Sequence, residues 1–282
     1  MEHSLFLAAL LTTSVLAGGI GAILGLGGGI VLVPVLTMVY GVSLRDAMGA
    51  SVISVIATSS GAAAAYLRSG LSNLRIGLFL AMATVLGSLV GATLVGILND
   101  RVLELVLGLA LAYSTWVTVG QLDVDIPDEP PFDRLAARFE LEGVYWDAGR
   151  QREVKYRATH VGSGLCAMFG AGVLSGLLGI GSGAFKVLAM DYFMRLPMKV
   201  STATSNFMIG ITAAASATIY FGRGDIHPLL ATPVAVGVLA GAYVGSRLAA
   251  RLGNTTLRKL FVPVILYLAV SMILRGFGIS GP

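Results

Sequence analysis

Two glycine-rich clusters stand inside long apolar stretches of this chain. They read Gly25-Leu26-Gly27-Gly28-Gly29 and Gly179-Ile180-Gly181-Ser182-Gly183. A helix that stops and restarts in an apolar environment leaves backbone N–H and C=O groups without hydrogen-bond partners. Such a break is therefore tolerated only where it is buried in protein or lines a cavity. The helix that follows begins with free N–H groups, which favour an anion. The clusters therefore predict broken helices whose ends meet a ligand, although glycines that merely allow close helix packing are the alternative.

Side chains near the clusters could complete an anion site. Lys186 follows the second cluster, and a lysine at membrane depth costs about 2.5–3.5 kcal/mol on insertion scales. It would be tolerated if it faced an anionic substrate, paired with Asp191 or snorkelled to an interface. Ser51, Ser205 and Asn206 offer uncharged donors to an oxyanion, but they can equally satisfy neighbouring backbone groups. The predicted substrate-binding set is the backbone at Gly27, Gly28, Gly29, Gly181, Ser182 and Gly183, the donors Ser51, Ser205 and Asn206, and the counter-charge Lys186.

Other kinds of site find little support. His3, His160 and His227 are isolated in the sequence, so neither a zinc-type cluster nor another metal site is predicted. No strand precedes the glycine clusters, which argues against a dinucleotide fingerprint. We see no nucleophile–base pair at depth, so we expect no enzyme activity and no cofactor. Cys166 is the only cysteine, which excludes a disulfide scaffold.

The composition places the chain in a lipid bilayer. Of its 282 residues, 56% are hydrophobic and 12% are charged, about half the charged share of a typical soluble domain. The mean hydropathy is +0.84. The net charge of +4 comes from lysines and arginines scattered at the ends of apolar segments, which is how membrane helices are oriented and is a poor pattern for binding nucleic acid.

Ten apolar runs predict the helical segments. They fall at about 4–24, 28–42, 46–67, 75–98, 101–120, 158–178, 183–196, 200–221, 229–252 and 255–277. Eight of them reach the length of about 20 residues that a spanning helix needs. The two short runs, 28–42 and 183–196, each follow a glycine cluster, which predicts short helices after the breaks.

The two halves of the chain are similar to each other. A shift of 154 residues carries Gly25, Gly27 and Gly29 onto Gly179, Gly181 and Gly183 without a gap. The same shift aligns further pairs, including Ser51 with Ser205, Thr58 with Thr212, Tyr66 with Tyr220, Gly87 with Gly241 and Gly91 with Gly245. One offset that holds through breaks, loops and helices indicates an internal duplication. The Gly87-xxx-Gly91 and Gly237-xxx-Gly241-xxx-Gly245 stripes predict close helix packing.

Loop charges decide between inverted and parallel repeats. With five segments in each half, one face collects Arg68, Arg75, Arg150, Arg152, Lys155, Arg157, Arg195, Lys199, Arg247, Arg251, Arg258 and Lys259. The other face keeps only Arg45, Arg101, Arg223 and Arg275. Merging each short run with the preceding one gives four segments and a much more even division. The asymmetry favours five segments, inverted repeats, termini outside and 121–157 in the cytoplasm; a half-depth hairpin would give the same parity.

The polar stretch 121–157 separates the two repeats, 1–120 and 158–282. It is rich in Asp, Glu, Arg and Pro. Its composition is typical of a solvated linker, with one short helix expected around 132–141. A docking patch for a partner protein is the alternative.

Several motifs resemble the TauE/SafE family of membrane transporters. They are the Gly-x-Gly-Gly-Gly cluster followed by Val33-Pro34, the cluster 179–183 followed by Lys186-Val187, Pro197-Met198-Lys199-Val200, and Thr202-Ala203-Thr204-Ser205-Asn206-Phe207-Met208. The resemblance covers both repeats. The chain departs from the family pattern at Ser182, where glycine is frequent, at Leu188, where proline is common, and in its longer linker. The resemblance implies transport of sulfite or an organosulfonate.

These observations predict an all-α polytopic membrane protein of the cell inner membrane. Two inverted repeats of about five helical segments each, with glycine-broken short helices, would carry a small anion by alternating access. The anion would be sulfite, an organosulfonate or a carboxylate. Asp191 is the single acid plausibly at depth, so the sequence by itself gives little support for a sodium or proton site. The alternative is a non-transporting membrane subunit that binds a partner through 121–157.

Overall fold

Most of the described chain is helical. The computed structural model describes residues 2–24, 28–68, 71–120, 133–147, 152–249 and 254–278. The elements are α1 (Glu2–Leu24), α2 (Gly29–Met38), α3 (Leu44–Arg68), α4 (Leu74–Val95), α5 (Asp100–Gly120), α6 (Arg134–Arg138), β1 (Glu142–Asp147), β2 (Arg152–Arg157), α7 (Val161–Leu178), α8 (Gly183–Leu188), a π-helical turn (Ala189–Phe193), α9 (Met198–Arg223), α10 (Pro228–Ala249) and α11 (Asn254–Gly276). Each predicted apolar run thus contains a helix. By length and composition, Leu74–Val95, Val161–Leu178 and Pro228–Gly245 could each cross a membrane.

Polar contacts mark two ends of the helix bundle. At the linker end, Asn73 before α4 donates from Nδ2 to the Tyr156 hydroxyl of β2 over 3.0 Å. Its backbone N–H also donates to Thr204 Oγ1 near the start of α9, over 3.1 Å. At the opposite end, His227 Nε2 lies 3.1 Å from an oxygen of Asp46 near the start of α3. The helix α3 therefore begins at the opposite end, whereas α9 begins at the linker end and finishes just before His227.

The short helices α2 and α8 fold back along the long helices that precede them. Tyr40, just after α2, places its hydroxyl 2.7 Å from Thr13 Oγ1 and its ring 5.7 Å from that of Phe6, both in the first half of α1. After α8 and the π-helical turn, the carbonyl oxygen of Met194 accepts from the N–H of Thr159 over 3.0 Å, just before α7 begins. Each short helix is thus a separate segment, and among the described residues each half contains five helical segments, with the π-helical turn counted together with α8.

Glycines bring α1 against α10 and α4 against α7. A Cβ on Gly241 of α10 would lie 1.9 Å from the carbonyl oxygen of Val15 in α1. A Cβ on Gly87 of α4 would lie 2.2 Å from the carbonyl oxygen of Phe169 in α7. The two contacts are related by the shift of 154 residues, and each joins one half of the chain to the other. The expectation that these glycine stripes serve helix packing is confirmed.

The linker contains a β-hairpin, which corrects the all-α expectation. The strands β1 and β2 pair antiparallel, with Glu142 opposite Arg157. Tyr145 and Tyr156 are each only 7% exposed and belong to the same apolar cluster as Ile76 of α4. Val, Tyr and Trp favour strands, and here the side chains of Tyr145 and Tyr156 are buried against the helix bundle. The short helix expected around 132–141 is present as α6.

The Asp133 carboxylate accepts hydrogen bonds from the first turns of both α6 and α7. Its Oδ1 accepts from the backbone N–H groups of Leu135 (2.8 Å) and Ala136 (3.1 Å), and its Oδ2 accepts from that of Val161 (2.8 Å). Burial works against ionisation of this carboxyl, but the three N–H groups outweigh it and hold the pKa of Asp133 below its ordinary value. The ionised form therefore stabilises the folded protein.

Replacing Asp133 tests this contribution through its pH dependence. A lowered pKa stabilises the fold at pH values above the ordinary carboxyl pKa, and that stabilisation is lost as pH falls through the lowered value. We expect Asp133→Ala to cost about 1 kcal/mol at neutral pH, as losing a helix N-cap does. Asp133→Asn keeps a capping oxygen and should flatten the acid dependence. Thermal unfolding of the detergent-purified protein across a pH series measures both; an Ala variant as stable as wild type would contradict the assignment.

Candidate functional site

The two glycine-rich breaks meet inside the helix bundle. Gly29 is the first residue of α2, and a Cβ there would lie 3.1 Å from the Cα of Ile180 in the second break. The same Cβ would lie 2.4 Å from Ser51 Oγ of α3. A side chain at Gly29 would therefore push the two breaks apart. Gly28 is also buried, while Gly27 lies outside the described residues.

Left-handed backbone shapes the second break. Gly179 ends α7 with φ +65°, and Gly181 (φ +77°) and Ser182 (φ +43°) follow in the same region of conformational space. Glycine adopts these angles without steric cost, which is why the cluster reverses the chain in so few residues. Ser182 is 2% exposed, and its Oγ donates to the carbonyl oxygen of Ala171 in α7 over 2.6 Å.

Ser51 and Ser205 both bind the backbone of this second break. Ser51 Oγ donates to the carbonyl oxygen of Gly179 over 2.7 Å, and Ser205 Oγ donates to that of Gly183 over 3.2 Å. Each hydroxyl carries a single hydrogen, so in this conformation both serines use their one donor on carbonyl groups of the break. The two serines are related by the internal repeat, and they bind α3 and α9 to the same break.

Lys186 lies at the centre of the site and is fully buried. Its Nζ donates to the carbonyl oxygen of Gly181 over 3.1 Å and to Thr212 Oγ1 over 3.0 Å. Two of its hydrogens are thus directed at uncharged oxygens. No ion pair joins Lys186 to Asp191 or to another acid among the residues that the structure describes. The structure therefore places the Lys186 side chain beside the second break without an acidic partner among the described residues.

Two threonines that the sequence did not single out for this site extend the hydrogen-bond network of Lys186. Thr212 Oγ1 lies 3.2 Å from Thr84 Oγ1 of α4, so the lysine is linked to α4 as well as to α9. Ser88, one turn along α4, donates from Oγ to the carbonyl oxygen of Thr212 over 3.2 Å. In the sequence, the one feature that pointed to Thr212 was its alignment with Thr58 in the internal repeat.

Asn206 lies apart from this network. It is 5% exposed, and its Nδ2 donates to the carbonyl oxygen of Thr202 one turn earlier in α9, over 3.0 Å. The structure thus brings Gly29, Ser51, Gly181, Ser182, Gly183, Lys186 and Ser205 together around the second break.

The site is closed to solvent in this conformation, and two open grooves lie elsewhere. A groove of about 740 Å³ runs between α3, α9 and α10 and is lined by residues such as Ile53 and Phe221. A groove of about 230 Å³ beside α7 and α8 contains Tyr113 stacked on Phe185. Both are mainly apolar, and neither is lined by Lys186 or the two serines.

Two breaks that meet between apolar helices, with a buried lysine beside one of them, are typical of membrane carriers. Within the described residues, no three His, Cys, Asp or Glu side chains form a group able to hold a metal ion. Comparison with known proteins agrees with the class. The sequence model of the family "Sulfite exporter TauE/SafE" matches residues 10–272, and the chain belongs to this family of membrane transporters.

Curated relatives are similar along nearly the whole chain. "Probable membrane transporter protein YunE" of Bacillus subtilis is 25% identical over 279 residues, which cover 95% of this chain and 97% of that protein. "Probable membrane transporter protein YdhB", also of Bacillus subtilis, is 26% identical over 82% of this chain and 86% of its own. "Probable membrane transporter protein ORF9" of Sinorhizobium is 24% identical over 95% and 92%. No solved structure matches significantly. The resemblance stated from the motifs is confirmed.

Proposed function

We propose that this protein is a secondary carrier of a small anion, namely sulfite, an organosulfonate or a carboxylate, and that it works by alternating access. The observation that carries the proposal is Lys186: its fully buried amino group donates to two uncharged oxygens beside a helix break. A buried cation without a counter-ion is costly, and an oxyanion at the break would supply the missing charge. Charge-assisted hydrogen bonds to such an anion are stronger than those to neutral acceptors.

Backbone and uncharged side chains would complete the binding site. We assign the remaining contacts to the backbone of Gly27–Gly29 and Gly181–Gly183, with the hydroxyls of Ser51 and Ser205 and the amide of Asn206 as donors. In the closed conformation Ser51 and Ser205 bind carbonyl groups of the break. If these hydroxyls rotate toward an anion, each would give up its carbonyl acceptor for a charged one. The hydrogen bonds of the site would therefore rearrange as the ligand enters.

The direction of the helices supports inverted repeats. In the first half, α3 begins at the end of the bundle opposite the linker, whereas its repeat counterpart α9 begins at the linker end. Five segments in each half make the number of crossings odd, so the second half would begin on the side where the first half ends. Carriers built this way alternate by moving one group of helices against the rest around a central site. The contact between Gly29 and Ile180 lies where such a movement would open.

Charge at the two ends supports an orientation in the cell inner membrane. The linker end carries Arg75, Arg152, Lys155, Arg157, Arg195 and Lys199. At the opposite end, Arg45 is paired with Asp100 and Arg223 with Asp225. Because an excess of Lys and Arg marks cytoplasmic loops, we propose that the linker faces the cytoplasm and both termini face outward.

Anion flux into proteoliposomes tests the function. We expect saturable uptake of labelled sulfite that sulfoacetate or acetate inhibits, because all three are oxyanions able to bind a buried ammonium, and no saturable uptake into protein-free liposomes. Competition among the three anions ranks them as substrates. Absence of saturable flux for sulfite, sulfonate and carboxylate would contradict the proposal, and a stable partner protein retained on the linker would then favour the non-transporting subunit.

A further inference from the structure

We propose that α6 anchors the linker in the membrane interface, and that Arg134 and Arg138 of this helix bind the phosphate groups of anionic phospholipids. The anchor requires α4 to cross the bilayer, and it does not depend on which substrate the protein carries. It gives a role to a surface of the linker that anion transport leaves unused.

The lipid-facing side of α4 extends onto the linker. The helix is long and apolar enough to cross a membrane, and exposed apolar side chains recur along it at every fourth residue: Leu74, Leu78, Met82, Leu86 and Val90. Phe79 lies beside this stripe, and its ring packs on the ring of Phe139 with the centroids 4.8 Å apart. Phe139 is itself 43% exposed. The linker therefore adds an aromatic side chain to the surface that α4 turns toward lipid.

The position of Phe79 along α4 gives the depth of this contact. Arg75, the second residue of α4, pairs with Glu140, and both side chains are mostly exposed, as expected at the level of the headgroups. Phe79 follows the first residue of α4 by about 7 Å along the helix axis. Helices that lie in the interface bury their apolar face to about 5–10 Å. Phe139 is thus at the depth where aromatic side chains collect in membrane proteins.

The sides of α6 have three different surroundings. Ala136 is buried in the apolar cluster that the linker shares with α4. Leu135 and Phe139 are exposed on one side, because the N–H of Phe139 donates to the carbonyl oxygen of Leu135 over 3.0 Å and continues the helical turn. Arg134 and Arg138 are also exposed, and at 100° per residue the apolar pair lies between them and Ala136. This order, from core to apolar surface to basic surface, is typical of a helix in the membrane interface.

Neither arginine of α6 has an acidic partner in the part of the chain that the structure describes. The two acids that follow α6, Glu140 and Glu142, are paired with other arginines. The Arg138 guanidinium lies 6.0 Å from the centroid of the Phe139 ring, so the charge is carried beside the apolar pair. Arginine binds phosphate oxygens through two parallel hydrogen bonds, and long basic side chains extend from apolar surfaces to the headgroups. A phospholipid phosphate therefore fits these two side chains in both charge and depth.

A partner protein from the aqueous phase fits this surface less well. Such a protein would have to cover Leu135 and Phe139 from the water side. Phe139, however, packs beside the lipid-facing stripe of α4, where acyl chains and headgroups are already present. Lipid is therefore the occupant that the position of α6 favours.

Fluorescence quenching in reconstituted vesicles tests the depth of α6. The chain contains two tryptophans, Trp116 and Trp146, so Trp116→Phe and Trp146→Phe combined with Phe139→Trp leave a single reporter at position 139. We expect strong quenching by phosphatidylcholine brominated near the top of its acyl chains and weak quenching by aqueous acrylamide. Leu135→Trp in the same background is a second reporter of the same surface. Quenching of both reporters by acrylamide alone, or by neither agent because protein covers them, would overturn the anchor.

Brominated phosphatidylglycerol in place of brominated phosphatidylcholine tests the arginines. Trp116, 69% exposed on α5, reports the surrounding lipid when only Trp146→Phe is introduced. Relative to it, the reporter at 139 should prefer phosphatidylglycerol by about 5-fold for each arginine. Arg134→Gln with Arg138→Gln should abolish this preference, whereas Arg152→Gln, which removes the same charge at the far end of the hairpin, should preserve it.

The two parts of the proposal can fail separately. A reporter at 139 that shows no more preference than Trp116, or that keeps its preference after both arginines are replaced, would overturn the binding of anionic lipid. Quenching by brominated phosphatidylcholine would still decide whether α6 lies in the interface. Neither measurement involves transport, so their outcome is independent of the proposed carrier function.

Discussion

Replacing Lys186 with methionine should weaken anion binding by about 10- to 100-fold, since a hydrogen bond to a charged group is worth about 1.5–3 kcal/mol. The measurement is the sulfite concentration that half-saturates uptake into proteoliposomes. Methionine fills nearly the same volume without the charge. Leu32→Met, at the corresponding position of the first repeat and equally buried, is the matched control and should leave uptake unchanged.

Stability should respond to Lys186→Met in the opposite sense. Replacing a buried charge by an apolar side chain of similar volume is often neutral or stabilising. The lost hydrogen bonds to Gly181 and Thr212 are bonds to uncharged oxygens and offset only part of that gain. We therefore expect the thermal unfolding temperature in detergent to equal or exceed that of wild type. A variant that binds anion normally but unfolds earlier would mean that the ammonium serves the fold and not the ligand.

Gly176→Ala should destabilise the protein by about 1–3 kcal/mol or more, the usual cost of overpacking a close contact. A Cβ at Gly176 in α7 would lie 1.9 Å from the carbonyl oxygen of Ser88 in α4. Backbone atoms on a packed helix cannot move aside as the end of a flexible side chain can. The readout is the midpoint of thermal unfolding, with the fraction of monodisperse protein after extraction as a second measure.

Gly170→Ala on the same helix is the control for helix propensity. No atom lies within 4 Å of a Cβ at Gly170, so this change should stabilise α7 by up to about 1 kcal/mol through propensity alone. The two substitutions have identical chemistry and should move the midpoint in opposite directions. Equal effects would contradict the close packing of α4 against α7.

The sequence predicted the helical segments well because apolar runs of sufficient length have few alternatives in a bilayer. The glycine stripes were predicted equally well, since a fixed offset carried Gly87 onto Gly241. The hairpin was missed because its strands lie in a stretch dominated by charge and proline, where Tyr145 and Tyr156 gave a weak signal. Their burial depends on α4, which is distant in sequence.

The sequence predicted the glycines, the two serines and the lysine that meet at the second break, but not the threonines in the hydrogen-bond network of Lys186. Lys186, Ser51 and Ser205 were identified from residue type and repeat position, and the structure places all three beside the second break. Thr84 was missed, because a threonine in an apolar helix usually bonds to its own helix and only the packing of α4 brings it to Thr212. The π-helical turn around Asp191 has no local signature that separates it from an α-helix. The binding roles of these residues stay predictions.

The packing of α1 on α10 and of α4 on α7 has a consequence for ancestry. Each of these two glycine contacts joins one half of the chain to the other. A polypeptide with one half alone would leave its glycine-rich helix faces without a packing partner. If the repeats are inverted as we propose, an ancestral protein of single length would have needed a second copy of itself in the opposite orientation to cover them. The duplication would then have fused two subunits of an antiparallel dimer, and the ancestral protein would have been inserted in both orientations.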